Sequence, residues 1–265
     1  MSETNQAVVT VASGPYAERL DYTFTSFLKN RFLKLHAFIF AEELPQRRLP
    51  DITYHLVKPD ASFGDPMRDM YYRRLLLIDQ LEEEFVLLVD NSDVVCLQAI
   101  PELPAVLRGA GLGACVEHLG SRYVTGQGYT SEYINCGVTF WHTPTTRQMR
   151  QDVVARGRAR FRSVEDQLTF NEVVQTRYYD QMIILPCQYN YRALLNRRLR
   201  GWPTVHHLDG VLLYHCAMCI DEAKKLTSIA ARASLPPLEP DKTPLSDWEK
   251  FWRKVQLRLR PHIVK

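Results

Sequence analysis

No stretch of the sequence approaches the roughly 20 consecutive apolar residues that a membrane-crossing helix needs, so no transmembrane span is expected. The first ten residues, MSETNQAVVT, carry neither the basic start nor the apolar core of a secretory signal, and the expectation is a cytoplasmic chain. Cysteine is scarce: six in 265 residues, four of them inside apolar runs as small hydrophobes. Cys216 and Cys219 lack the second Cys-x-x-Cys that would complete a structural zinc site, so two semi-buried thiols are expected there. Net charge is only +3, too little to argue for nucleic acid, and no nucleic-acid partner is expected. Nor does VASGPYAER (11–19) supply the glycine-rich, basic phosphate loop that a nucleotidyltransferase normally places near its first strand. No internal repeat is visible.

What is present is apolar residue in ordered runs, 46% of the chain, enough for one large domain or two small ones. AVVTVASG (7–14) reads as a strand and turn. Leu20, Phe24, Phe27 and Leu28 recur at helical spacing over 17–30, and LHAFIF (35–40) is a second strand. Strand, helix, strand within so short a span is a βαβ unit and implies a parallel sheet. Residues 41–68, with four prolines, read as an irregular excursion before a helix over 68–83. FVLLV (85–89), GLGACVEH (111–118), INCGVTFWH (134–142), MIILP (182–186) and VLLYH (211–215) are further strands. Helices are expected over 143–158 and 164–175. The fold class is α/β: a Rossmann-like, mostly parallel sheet with helices on both faces. Ligands of such sheets bind beyond the carboxyl ends of the strands.

FVLLVDNSDVVCL (85–97) places Asp90 and Asp93 at that edge. Two carboxylates at the end of a buried strand repel and are desolvated, a cost removed by a divalent cation between them. Oxygen ligands of this kind suit Mg²⁺ or Mn²⁺ shared with a substrate phosphate. The bland alternative is a turn in which Asp90 caps backbone amides and Asp93 is solvated.

The ordered series VASG, YRRLLL, VDNSDVV, INCGVTF, EDQLTFN, LPCQYN and LLYH resembles the sugar-nucleotide-dependent glycosyltransferases of the GT-A fold. The likeness is to the retaining family 8 type and to the glycosyltransferase domain of procollagen lysyl hydroxylases, and it covers roughly residues 7–220. It implies that Asp90 and Asp93 form the metal-binding acidic motif, with Asp90 or Ser92 on the ribose. Asp-x-x-Asp here is like the lysyl hydroxylase domain, where family 8 has Asp-x-Asp. It implies that Val11, Ala12 and Ser13 receive the base and that Arg74 (or Arg73) reaches the donor. Asn135, Cys136 and Gly137 would line the donor sugar and acceptor, and Asp166 and Gln167 would flank the reacting carbon. His215 would complete the metal site. The family's Gly and Lys-Pro-Trp after that histidine are replaced by HCAMCIDEAKK, where Lys224 or Lys225 stands at a different spacing. His206 and His207 are rivals for the histidine, with a surface loop as their alternative.

The implied activity is metal-dependent transfer of a sugar from a nucleotide-diphosphate sugar, uridine-linked by the likeness, to a hydroxyl of a glycan or glycolipid. Same-face attack is implied, while Glu117 and Glu132 keep an inverting base available. A metal-dependent nucleotidyltransferase and a non-catalytic carbohydrate-binding module are the rival readings. Each residue also has a structural alternative: Arg74 pairing with Asp79 or Glu82, Asn135 bonding a neighbouring backbone, Asp166 as a first-turn acid.

The domain is expected over 1–231, followed by the proline-rich linker 232–246 and a basic amphipathic helix over 247–265. Ser246 and Glu249 make a capping box. Trp248, Phe251, Trp252, Val255 and Leu259 then form one apolar stripe flanked by Lys250, Arg253, Lys254, Arg258 and Arg260. This is the composition of an interfacial helix on anionic lipid, peripheral on the inner face of the membrane, with docking on the domain as the alternative.

Overall fold

A computed structural model describes residues 5–117, 122–124, 128–130, 132–159, 166–192 and 210–215. The chain begins with β1 (Gln6–Ser13), α1 (Leu20–Phe27), β2 (Lys34–Phe40), β3 (Ile52–Val57) and α2 (Pro66–Leu77). It continues through β4 (Phe85–Asp90), β5 (Val94–Cys96), α3 (Leu103–Leu107), β6 (Leu112–Val116) and the hairpin β7 (Arg122–Val124) and β8 (Gly128–Thr130). There follow β9 (Ile134–His142), α4 (Thr143–Ala159), α5 (Asp166–Arg177), β10 (Met182–Leu185), β11 (Tyr191–Arg192) and β12 (Leu213–His215). Seven strands form one sheet in the order β10-β6-β9-β4-β1-β2-β3. Its pairings are parallel except the two that β9 makes with β4 and β6, so β9 alone runs against the rest.

Side-chain parity explains why both faces are covered. In β1, Ala7, Val9 and Val11 join one apolar cluster and Val8 and Ala12 another. In β4, Val86 and Leu88 join the first, Leu87 and Val89 the second, all four at most 1% exposed. The first cluster is closed by α2, α4 and α5, the second by α1 and α3. At roughly 1.5–3 kcal/mol per buried aliphatic side chain, β4 is firmly seated, and so is its last residue.

The structure departs from the sequence expectations in several places, among them the helix expected over 68–83, which is α-helical only to Leu77 and ends in a 3₁₀ turn over Ile78–Gln80. The stretch 41–68 contains β3, an edge strand whose half-exposed residues break the apolar run that marks inner strands. Its end also holds the start of α2, where Asp65 caps the Arg68 amide at 3.0 Å and Pro66 takes the first turn. The helix expected over 17–30 is α-helical only over Leu20–Phe27; Gly14, at φ 51°, and Pro15 begin it as a 3₁₀ turn over Gly14–Arg19. Finally, the strand at 211–215 does not join the main sheet. β12 pairs antiparallel with β5 and parallel with β11 in a separate three-stranded sheet. The linker 232–246, the tail 247–265 and thus the domain boundaries, Cys216, Cys219, His206, His207, Lys224 and Lys225 lie outside the described residues.

Candidate active site

Parity along β4 decides which way Asp90 points. It follows Val86 and Leu88 on the face covered by α2 and α5, and its register partner on β1 is Val11. The chain then reverses through Asn91 and Ser92. Ser92 has φ 72°, a conformation that costs an L-residue roughly 1–2 kcal/mol. Neighbours hold the turn: the Ser92 amide donates to Thr23 Oγ1 at 3.1 Å, and Asn91 Nδ2 donates to the Tyr16 carbonyl at 2.7 Å. Asp93 follows, and β5 carries the chain away. Because β12 pairs with β5 so that His215 faces Val94, the small sheet returns an imidazole to the two carboxylates. His215 Nε2 lies 3.5 Å from Asp93 Oδ2 and 3.9 Å from Asp90 Oδ2.

Gly137 makes this approach possible. A Cβ there would stand 2.4 Å from His215 Cε1 and 2.5 Å from Asp90 Oδ2. The backbone itself is displaced at this point. Ala114 pairs with Thr139 but Val116 with Ile134, so two steps of β6 match five of β9, and Asn135, Cys136 and Gly137 bulge out of register. Such bulges re-aim side chains beside sites. Asn171 steadies the start of β9 by accepting from the Ile134 amide at 2.6 Å and donating to its carbonyl at 2.9 Å.

Arg74, on α2 and 3% exposed, bridges the site. Its guanidinium donates to Asp90 Oδ1 at 2.6 Å, to Asp166 Oδ2 at 3.1 Å and to the Cys136 carbonyl at 3.3 Å, and it lies 5.6 Å from the Tyr71 ring. Burial alone would lower its pKa, but Asp90 and Asp166 reverse the sign and hold it charged. Burial raises the Asp166 carboxyl against the pull of Arg74, and raises the Cys136 thiol well above its usual range. Formal charges of Asp90, Asp93, Asp166 and Arg74 leave −2, which one divalent cation would neutralise. Two carboxylates and an imidazole whose ligand atoms lie within 4.8 Å of one another suit such an ion.

On the other side of the bulge, polar side chains form a bonded group. Asn135 Nδ2 donates to Glu117 Oε2 at 2.9 Å and to Gln167 Oε1 at 3.1 Å. Gln167 Oε1 also accepts from the Cys136 amide at 3.2 Å. Asn135 Oδ1 accepts from the Gly137 amide at 3.0 Å and from Asn190 Nδ2 at 2.9 Å. Asn190 Oδ1 in turn lies 3.0 Å from His215 Nδ1.

No protein-family model and no curated protein sequence matches the chain. Solved structures do. The galactosyltransferase LgtC, solved with donor and acceptor sugar analogs, superposes with a TM-score of 0.61 at 17% identity over 87% of this chain and 97% of its own. The bifunctional glycosyltransferase WbbM gives 0.58 at 13%, over 97% of this chain and 52% of its own. The glycosyltransferase GlyE of Streptococcus pneumoniae gives 0.57 at 16%, over 95% and 64%. This chain has the GT-A fold. Within it, Asp90, Asp93, His215, Arg74, Asn135, Cys136, Gly137, Asp166 and Gln167 converge on one edge of the sheet, next to Val11. Ala12 is buried, whereas Ser13 is half-buried with its hydroxyl 3.9 Å from Met67 Sδ. Ser92 is set apart, 2% exposed, its hydroxyl without a hydrogen-bond partner among the described residues.

The structure also settles several alternatives. Arg73 turns away to Asp69 and the Lys58 carbonyl, and Arg150, not Arg74, takes Asp79. Glu132 accepts from the Tyr179 hydroxyl at 2.5 Å, while Glu117 lies 3% exposed beneath Asn135. Sequence reasoning gave no role to Asn190 or Asn171. Both stood in quoted motifs, LPCQYN and EDQLTFN, and Asn190 follows Pro186 just past the end of a strand. No helix among the described residues is long and apolar enough to cross a membrane.

Proposed function

We propose that the chain is a glycosyltransferase that moves a sugar from a nucleotide-diphosphate sugar to a hydroxyl of a glycan or glycolipid, with retention of configuration. The observation that carries this is the Asp90–Asp93–His215 cluster on the carboxyl edge of a GT-A sheet, with Gly137 leaving the space between its members. Asp90, Asp93 and His215 would hold Mn²⁺ or Mg²⁺. Such an ion, when bound, supplies positive charge to the diphosphate and stabilises the departing nucleoside diphosphate.

The remaining work falls to side chains. Asp90 is the most exposed of the three ligands, its side chain 31% accessible against 13% for Asp93 and 3% for His215, so the donor approaches from the Asp90 side. Val11, in register with Asp90, and Ala12 and Ser13 after it receive the base; the nucleotide is taken to be uridine-linked. Arg74 holds Asp90 and Asp166 at fixed separation. Asp166 takes sugar hydroxyls on the carboxylate oxygen that Arg74 leaves open, and Asn135, Cys136 and Gly137 line the sugar. Gln167 orients Asn135, since Oε1 already accepts two hydrogen bonds. Retention is taken from the family likeness; of the two candidate bases for inversion, Glu117 is buried beneath Asn135 and Glu132 accepts from Tyr179.

Hydrolysis of a panel of nucleotide sugars, with Mn²⁺ and with excess chelator, tests the proposal. Nucleoside diphosphate and free sugar are the expected products. Release of pyrophosphate would favour a nucleotidyltransferase, and binding without turnover a carbohydrate-binding module. We also propose, from the stripe of Trp248, Phe251, Trp252, Val255 and Leu259 among five cations, that residues 247–265 contact anionic lipid on the cytoplasmic face of a membrane.

A further inference from the structure

The polarity of the buried amide group can be worked out from two donors that cannot flip. The Gly137 backbone N–H points at Asn135, so the atom it meets at 3.0 Å is the carbonyl oxygen Oδ1. The Asn190 atom that meets the same oxygen at 2.9 Å must then be a donor, Nδ2. That leaves Asn190 Oδ1, which can only accept, 3.0 Å from His215 Nδ1. Nδ1 therefore carries the hydrogen, and in a neutral imidazole Nε2 is the lone pair, turned toward Asp93 and Asp90. The other tautomer would set two acceptors, Nδ1 and Asn190 Oδ1, against each other at 3.0 Å. The same logic runs outward from the bulge. The Cys136 N–H fixes Gln167 Oε1, and Asn135 Nδ2 donates to that oxygen.

From this chain of bonds we propose that Asn190 is the positioning residue of the site. It fixes His215 in the tautomer that can ligate a cation, and it makes that tautomer depend on the same amides that hold Gln167. The inference deepens the metal role proposed above for His215 and rests on that reading for what the lone pair is for. Asn190 is suited to the task. It is 1% exposed, so water does not substitute for it, and its backbone N–H donates to the Cys187 carbonyl at 3.0 Å, closing the 3₁₀ turn Cys187–Tyr189. Ligating histidines are commonly oriented in this way through the nitrogen that faces away from the ion.

The test uses the full chain labelled with ¹⁵N-histidine, stripped of metal and held at a pH where the ¹⁵N shifts show the His215 ring to be neutral. Two-bond ¹H–¹⁵N spectra, with His215→Gln to assign the signal, report which nitrogen is protonated. The wild type should show Nδ1–H. Asn190→Asp, which keeps an acceptor for Nδ1 while losing the donor to Asn135, should keep it. Asn190→Ala should shift His215 toward Nε2–H and weaken Mn²⁺ binding roughly 10–100-fold. A wild-type His215 protonated on Nε2 overturns the inference, and this holds even if Asn190→Ala does not fold. So does an Asn190→Ala chain unchanged in both tautomer and Mn²⁺ affinity. A wild type with Nδ1–H that binds no Mn²⁺ upholds the positioning and overturns the metal reading.

Discussion

Gly137 is the residue on which the site's geometry turns, and the reason is space. The Cβ that any other residue would add overlaps His215 and Asp90 together, so Gly137→Ala must push a ligand aside. Overpacking of this kind costs about 1–3 kcal/mol. We expect a melting temperature lowered by a few degrees and Mn²⁺ affinity reduced at least about tenfold. Calorimetric titration checks it, and unchanged affinity would show that the ion lies elsewhere. Asp166 makes a different demand. Asp166→Asn keeps an oxygen for Arg74 but removes a charge from the donor side. Donor hydrolysis and transfer should fall together, roughly 10–10³-fold, while nucleoside diphosphate still binds. Collapse of nucleotide affinity with unchanged turnover at saturation would place Asp166 outside the sugar site.

At the scale of elements, the edge of the sheet carries a charge cluster remote from this chemistry. His36 on β2 faces His55 on β3 at 3.0 Å, and Glu83 lies between Lys34 at 2.6 Å and His36 at 3.4 Å. Burial lowers the pKa of both imidazoles, only partly opposed by Glu83. Below about pH 6.5 the unfolded chain therefore binds protons that the fold does not, so stability rises with pH through this range and falls on acidification. The urea midpoint should drop between about pH 7.5 and about pH 5.5, and less so in His36→Gln; a flat profile would contradict the account. The elements differ in how far the sequence announced them. Nearly continuous apolar runs exposed β1, β2, β4 and β9, because strands buried on both faces carry few polar interruptions. β3 was hidden by its half-exposed edge residues. β12 was read as a strand at 211–215, but the separate sheet it makes with β5 and β11 was hidden, because strands of two or three residues have no period to read. Asp90, Asp93 and His215 were legible as strand ends. The bond from Asn190 to His215 was not, since a contact between residues 25 apart depends on a tertiary approach.

At the scale of the molecule, the parallel sheet seats Asp90, the small sheet returns His215, and the bulge in β9 opens the space between them. The basic tail adds a question of place. If residues 247–265 lie on anionic lipid, five cations at about 1 kcal/mol each add several kcal/mol to aromatic insertion. The full chain should then co-sediment with anionic liposomes and not with neutral ones, and a chain ending at Lys242 with neither. Equal, negligible sedimentation of both chains would return the tail to the domain surface. The central claim, that Asp90, Asp93 and His215 hold the ion that activates a nucleotide sugar, is tested most directly by Mn²⁺-dependent donor hydrolysis in Asp93→Ala. The account predicts loss of turnover with the fold intact, because relief of carboxylate repulsion offsets the missing ligand in the metal-free protein. Full turnover in Asp93→Ala, or full wild-type turnover in excess chelator, would contradict it.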